Sequence, residues 1–426
     1  MQTQTRVQVR LDYRRPSMWG ARFIVWVWFV ATVAALSACR RERSVSAVDC
    51  EGDAEQRASG PHLEPQPVRP MGRAHAPLPI CDAGGGAPLS AARTWFDAGH
   101  YLHALSCASQ AVAFEPDLPE AHAERAASLA ALERFDEARL AYARLFALAP
   151  DHVDGLLGAA HLYAVLLPGE REHDALAAAY AERGLGLAPE GSPTRARFAV
   201  VSAIAHNDLG MPQQALARAE LALAVLPEDP EALHERALSR FELTQLEGAA
   251  LDFARLVEDP VARASAHYHL GLILERTAGK ELQAKAFIER ARALSPVHFP
   301  PPVELSPEAF REAVSRAIAE LPSDMRRDLE GVPVAVEELP SDEDLLGGEP
   351  ALSPMILGLY RGPPLGEPCD AQQVGPCRSV ALYRRNLLRS TRSLDELLRQ
   401  IRVTLLHEVG HLRGEDDHEL AARGLD

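Results

Sequence analysis

Apolar residues recur at helical spacing between residues 89 and 297, in blocks that each end at a proline. The blocks end at Pro116, Pro150, Pro189, Pro227 and Pro296, and less regularly at Pro260. The first step is 34 residues long, and the later steps are 39, 38, 33 and 36 residues. A small residue lies twelve positions before five of these prolines: Ala104, Ala138, Ala177, Ala215 and Ala284. The pattern predicts six helical hairpins that pack closely and stack as an all-α solenoid.

The period and the alanine position resemble the tetratricopeptide (TPR) repeat, whose period is 34 residues. The resemblance covers about half the chain and implies that the concave face of the solenoid binds a peptide or protein partner. The inserted loops, such as the one around Pro168, depart from the regular repeat. A spacer that only positions the C-terminal domain is the alternative.

Residues 303–426 predict a second, small α+β domain after a stiff proline-bearing linker at 297–303. Ser306-Pro307-Glu308 opens a helix that runs to about residue 321. Apolar runs at 332–337, 355–361 and 379–385 predict three strands, and Pro333 places the first of them at a sheet edge. The acidic stretch 338–354 carries glycine and proline and predicts a loop.

A long amphipathic helix is predicted from Ser393 onward, where Ser393 and Glu396 have the spacing of a capping box. Six apolar positions recur at helical spacing and would form its buried side: Leu394, Leu397, Leu398, Ile401, Leu405 and Val409. Near its end, His407-Glu408-Val409-Gly410-His411 forms an HExxH motif. The two histidines lie one helical turn apart, so both imidazoles can bind one Zn²⁺ ion, and Glu408 is placed to act as general base. We expect this pair to face a cleft.

A catalytic zinc site needs a third protein ligand. Gly414 permits a left-handed turn that ends the helix and folds the chain back, and Asp417 would then supply an oxygen. Three neighbours are alternative ligands: Asp416, His418 and Glu419.

The stretch from Pro307 to Glu419 resembles the minimal zincin-like metallopeptidase family of bacteria. The resemblance rests on Leu357-Gly358-Leu359-Tyr360-Arg361-Gly362 with Pro364-Leu365, on Val380-Ala381-Leu382-Tyr383-Arg384, and on His407, Glu408, His411, Gly414, Asp417 and Leu420. It implies a zinc peptidase fold with His407, His411 and Asp417 on the metal and Glu408 as base. Leu412-Arg413 departs from the more aromatic pair expected there. For a second group that stabilises the oxyanion, Tyr360, Tyr383 and Arg413 are candidates.

The first 38 residues have the pattern of a signal peptide, in which several arginines precede an uncharged apolar run at 23–38. Leu36-Ser37-Ala38-Cys39 resembles the bacterial lipobox, which implies cleavage and lipidation at Cys39. Because Arg40 follows, the resemblance favours an outer-membrane lipoprotein of the cell envelope that faces the periplasm. An uncleaved membrane anchor is the alternative.

Residues 39–88 are rich in proline, glycine and small polar residues, which is typical of a disordered tether. The whole chain has a formal net charge of −16, and no basic stripe is visible, so nucleic acid is excluded as a partner.

Five cysteines remain if Cys39 is lipidated. Cys369 and Cys377 flank a short segment, and an exported location favours a disulfide between them. Cys50 and Cys81 could pair with each other, while Cys107 lies in a helical repeat and is expected to be a small buried hydrophobe.

These features together predict a membrane-anchored, exported zinc metallopeptidase whose repeats bind a protein partner or substrate. The alternative is a non-catalytic TPR scaffold lipoprotein whose zincin domain binds zinc only structurally.

Overall fold

The computed structural model describes residues 78–81, 86–167, 169–348, 351–369 and 376–425. The predicted signal peptide, the lipidation site Cys39 and most of the tether lie outside the described residues. Within the described part of the chain, no helix combines the length and the apolar character needed to cross a lipid bilayer.

Six helical hairpins build the first domain, as the repeat pattern predicted. The first three pairs are α1 (Pro88–Asp97) with α2 (Tyr101–Phe114), α3 (Pro119–Ala131) with α4 (Phe135–Leu148), and α5 (Val153–His161) with α6 (Arg171–Leu187). The next three are α7 (Pro193–Asp208) with α8 (Pro212–Val225), α9 (Pro230–Glu242) with α10 (Leu246–Arg255), and α11 (Arg263–Leu274) with α12 (Glu281–Leu294). A π-helical turn, Leu162–Leu166, extends α5.

The alanines that mark the repeat lie at the helix contacts. All five are at most 2% exposed: Ala104, Ala138, Ala177, Ala215 and Ala284. A larger side chain at these positions would separate the paired helices, because protein interiors are close-packed. The predicted fold class, an all-α solenoid followed by a small α+β domain, is confirmed.

The second domain begins with α13 (Pro307–Ala319) and α14 (Ser323–Asp328) and contains one small sheet. Its strands are β1 (Val334–Glu337), β2 (Gly358–Arg361) and β3 (Ser379–Tyr383), in the order β1-β3-β2. β1 runs parallel to β3 and β2 runs antiparallel to it. The edge position of β1 that Pro333 predicted is confirmed. The remaining helices are α15 (Asp342–Leu346), α16 (Arg384–Ser390), α17 (Leu394–Leu412) and α18 (Asp417–Ala422).

Short helices replace two predicted features of this domain. The stretch 338–354, predicted as a loop, contains α15, whose start is a full capping box between Ser341 and Asp344. The third strand ends at Tyr383 rather than at residue 385, because the chain turns into α16 at Arg384. Such elements of five to seven residues are too short to show helical periodicity.

The two domains are joined by packing and by a largely buried ion pair as well as by the linker. Arg389 of α16 donates two hydrogen bonds to the Glu275 carboxylate at the end of α11, at 2.5 and 2.9 Å. In the linker, Phe299 stacks on Tyr268 with 4.6 Å between ring centroids. Breaking the ion pair from one side would leave a charge buried, which is costly. At the end of the linker, the Val303 N–H donates to the Leu388 carbonyl of α16 at 3.1 Å, so the linker contacts both domains.

Cysteine pairing differs in part from the prediction. Cys81 is bonded to Cys107, so the suggested pairing of Cys81 with Cys50 is wrong. Cys107 is buried, as expected, but it is not a free thiol. Cys369 is bonded to Cys377. A pairing between a cysteine before the first helix and one inside α2 depends on the three-dimensional arrangement and cannot be read from spacing.

Candidate metal centre

Helix α17 carries the HExxH motif and forms the centre of the second domain. Leu397, Ile401, Leu405 and Val409 are fully buried and pack into the core with the sheet and α13. At the start of the helix, the Ser393 hydroxyl accepts a hydrogen bond from the Glu396 N–H at 3.2 Å. The predicted capping box is incomplete, because the Glu396 carboxylate accepts from the Arg392 N–H at 2.7 Å. The predicted buried side begins later than expected, since Leu394 is 48% exposed.

Three side chains converge at the end of α17. The Nε2 atoms of His407 and His411 lie 3.0 Å apart. The Oδ1 atom of Asp417 lies 3.6 Å from the first nitrogen and 3.2 Å from the second. Among the described residues, this is the one group of three or more histidine, cysteine, aspartate or glutamate side chains arranged to hold a metal ion.

Hydrogen bonds at the far side of each ring fix the histidine tautomers. His411 Nδ1 lies 2.9 Å from the carbonyl oxygen of Glu415, and His407 Nδ1 contacts the carbonyl oxygen of Leu425. A carbonyl oxygen only accepts, so Nδ1 carries the proton in each neutral ring. The Nε2 lone pairs then face one another and the Asp417 carboxylate. Three electron-rich atoms at these distances repel one another unless a cation lies between them.

The turn after α17 brings Asp417 to the histidines. The helix ends at Leu412, and Gly414 takes the predicted left-handed conformation with φ of +91°. The chain folds back at once into α18, and Asp417 is the first residue of that helix.

The three alternative ligands predicted from the sequence do not face the histidines. Asp416 and Glu419 form a capping box at the start of α18, in which each side chain accepts from the backbone N–H of the other residue. His418 is exposed and is not part of the converging group. Because α18 needs its N-cap, Asp417 is the acid left to face the histidines.

The three atoms match the requirements of zinc. Zinc takes neutral histidine nitrogens and carboxylate oxygens at about 2.0–2.2 Å, which places tetrahedral ligand atoms roughly 3.3 Å apart. The observed separations of 3.0, 3.2 and 3.6 Å lie around that value. An aspartate side chain is ionised at neutral pH, so Asp417 offers a carboxylate oxygen beside the two imidazole nitrogens. The residues therefore fit the metal.

Glu408 lies in an unusual environment for a carboxylate. Its side chain is fully buried, and neither oxygen accepts a hydrogen bond of ordinary geometry from a described residue. Burial raises the pKa of Glu408 well above its ordinary value, the nearby backbone N–H of Tyr360 lowers it, and the charge of Asp417 raises it. Strongly shifted carboxyl groups are frequent among catalytic acids and bases, so Glu408 is a candidate for that role.

Two neighbours of Glu408 were not singled out from the sequence for this role. Thr404, one turn earlier on α17, is fully buried, and its hydroxyl has no partner among the described residues. Gly358 begins β2, and a Cβ added there would lie 2.7 Å from both Glu408 Oε1 and Thr404 Cγ2. The spacing of Thr404 from Glu408 was the only available signal, because the approach of β2 is a tertiary contact.

Replacing Gly358 by alanine is expected to lower the free energy of unfolding by about 1–3 kcal/mol, since the added methyl group overpacks the contact between β2 and α17. Thermal unfolding measures this change. Gly186→Ala is the matched control, because that glycine lies in α6 with nothing within 4 Å of the added Cβ. A Gly358→Ala protein as stable as the wild type would show that β2 does not approach Glu408 this closely.

The three candidates for a second oxyanion-stabilising group are engaged elsewhere. The Arg413 guanidinium donates to Asp328 and Asp324 of α14 at 2.6 and 2.7 Å. The Tyr383 hydroxyl lies 3.2 Å from Asp344, and the Tyr360 hydroxyl donates to the Pro363 carbonyl at 2.5 Å. Their contacts indicate structural roles.

The sequence comparisons agree with the geometry of the site. The model of the zincin-like metallopeptidase family matches residues 329–425, somewhat under a quarter of the chain. The matched stretch includes the sheet, α17, α18 and all three converging residues. Comparison with curated proteins gave no match.

Several solved structures are similar to about half of this chain. PilW, described as a widely conserved type IV pilus biogenesis factor, is 20% identical over 49% of this chain and 93% of its own, with a TM-score of 0.41. Pseudomonas aeruginosa pilF is 17% identical over 50% of this chain and 91% of its own, with a TM-score of 0.41. YrrB, described as a TPR protein with an unusual peptide-binding site, is 18% identical over 46% and 95%, with a TM-score of 0.37.

The hairpins themselves, with their buried marker alanines, carry the assignment of the first domain. The family match and the converging His407, His411 and Asp417 carry the assignment of the second. The chain therefore joins a solenoid of TPR-like hairpins to a domain similar to the zincin-like metallopeptidases.

Proposed function

We propose that the protein is an exported zinc-dependent peptidase, with His407, His411 and Asp417 as metal ligands and Glu408 as general base. The observation that carries the proposal is the convergence of three ligand atoms that lie within 4.8 Å of one another. They lie close to the buried carboxyl group of Glu408, which is on the same helix as the two histidines. The match to a metallopeptidase family over residues 329–425 supports it.

In this proposal, bound zinc supplies a Lewis acid that polarises the peptide carbonyl and lowers the pKa of water toward about 7. Glu408 accepts the proton of the attacking water and then passes it to the leaving amine. Two residues around Glu408 support this proton transfer. Thr404 and Gly358 enclose one side of its carboxyl group and exclude bulk water. The Asp417 side chain is 52% exposed, so the site meets solvent on that side.

The location and the partner are part of the same proposal. The signal-peptide and lipobox patterns at 1–39 support a lipid-anchored protein of the cell envelope, facing the periplasm. Two bonded cysteine pairs are in keeping with an oxidising compartment. The solenoid offers an extended concave surface, on which we propose that a protein partner or the substrate binds.

A non-catalytic scaffold is the second candidate, and burial of the site favours it. His407, Glu408 and His411 are each at most 2% exposed, as is usual for a closed structural zinc site.

Cleavage of a diverse peptide library by the purified, zinc-loaded chain tests the two candidates. A peptidase releases defined fragments, and removal of zinc by a chelator stops cleavage until zinc is added back. A chain that holds zinc tightly and cleaves no peptide would contradict the proposal and support the scaffold.

A further inference from the structure

The last residues of the chain contact every ligand of the candidate metal centre. We define residues 415–425 as the C-terminal shell segment. Asp417 lies in it, and the carbonyl groups of Glu415 and Leu425 accept the Nδ1 protons of His411 and His407. One stretch of eleven residues therefore provides a ligand and both outer hydrogen bonds.

Close packing fixes this segment on α17. Leu420 is fully buried against Gly410, where an added Cβ would lie 2.3 Å from Leu420 Cδ2. The backbone N–H of Leu425 donates to the Leu420 carbonyl at 3.1 Å, so the packing of Leu420 also places Leu425. The side chains of Arg423 and Glu415 form an ion pair that joins the two ends of the segment.

We infer that the C-terminal shell segment is a positioning unit for the metal, and that zinc binding and docking of this segment are coupled. The inference rests on the proposed metal centre and deepens it. Hydrogen bonds to metal-bound histidines fix the ring orientation and the tautomer, and their loss typically weakens metal binding by about 10–100-fold. A residue that holds only backbone acceptors in place can therefore change zinc affinity without touching the metal.

Zinc affinity of the full chain, measured by competition with a chromogenic chelator, tests the inference. A chain that ends at Arg423 keeps all three ligand side chains but lacks the Leu425 carbonyl, and we expect zinc to bind it about 10–100-fold more weakly. Leu420→Ala is also expected to weaken zinc binding, because it loosens the segment. Leu420→Met keeps the side-chain volume, and we expect this variant to bind zinc as the wild type does.

Leu397→Ala is the matched control. Leu397 is as fully buried as Leu420 and lies in the core of the same domain, but along α17 it is roughly three turns from His407 and four from His411. This substitution is expected to lower stability while the zinc affinity of the folded protein stays unchanged.

Hydrogen exchange gives a second readout that is independent of catalysis. Addition of zinc to the wild-type chain is expected to slow exchange across residues 415–425 and to leave α12 unchanged. The inference would be overturned, while the proposed function stands, by equal zinc affinity of the wild-type and shortened chains. It would also be overturned if zinc does not change the rate of hydrogen exchange in residues 415–425. A wild-type chain that takes up no zinc would overturn both.

Discussion

Glu408→Gln is expected to lower the rate of peptide hydrolysis by about 10²–10⁴-fold while zinc remains bound, because general-base catalysis contributes that much and the amide cannot accept the proton. Glutamine has nearly the same shape, so the fully buried position should tolerate it. Initial rates at saturating and at low peptide concentration give the loss, and elemental analysis of the same sample gives the zinc content.

The stability of this variant provides a check on the interpretation. Burial raises the pKa of Glu408 well above its ordinary value, so replacing it with a neutral amide should not destabilise the folded chain. Unchanged hydrolysis by Glu408→Gln would remove Glu408 from the mechanism. Loss of zinc together with activity would mean instead that Glu408 supports the metal site.

Asp417→Ala is expected to weaken zinc binding by more than about 100-fold, because it removes a ligand rather than an outer hydrogen bond, whose loss costs up to about that factor. Two imidazoles alone leave zinc with fewer than the three protein ligands of known catalytic sites. Competition with a chelator of known affinity measures the change.

Asp416→Ala is the matched control for Asp417→Ala. It removes a carboxylate from the neighbouring residue, but that carboxylate caps α18 and does not face the histidines. Loss of an N-cap costs about 1 kcal/mol, so even complete transfer of this cost to the metal site would weaken zinc binding only about fivefold. The reverse order of effects would show that Asp416 is the ligand.

The parts of the fold that were predictable share long-range regularity in the sequence. The hairpins repeat, and their marker alanines, such as Ala138, are buried because each hairpin uses the same contact. Helix α17 has 19 residues, enough for its apolar period to appear, and the left-handed turn at Gly414 follows from the conformational preference of glycine. The relation of His407 to His411 is set by the helix alone, so the spacing predicted it.

The parts that were not predictable depend on tertiary contacts or on very short elements. Helix α18 has six residues, too few to show an apolar period, and the packing of Leu420 against Gly410 is a tertiary contact. The Leu425 carbonyl on His407 has no signature in the sequence, since every residue carries a carbonyl group. The expected cleft was inferred from helix sides alone, and the sequence does not show whether it is open or covered; in the folded chain both histidines are buried.

The zinc content of the purified full-length chain, after dialysis against metal-free buffer and reloading, tests the central claim most directly. Binding of one zinc ion per chain at His407, His411 and Asp417 predicts about one equivalent in the wild type and a marked loss in a His411→Ala variant. A well-folded wild-type chain that retains no zinc and cannot be loaded, or one that loads equally well without His411, would contradict the account.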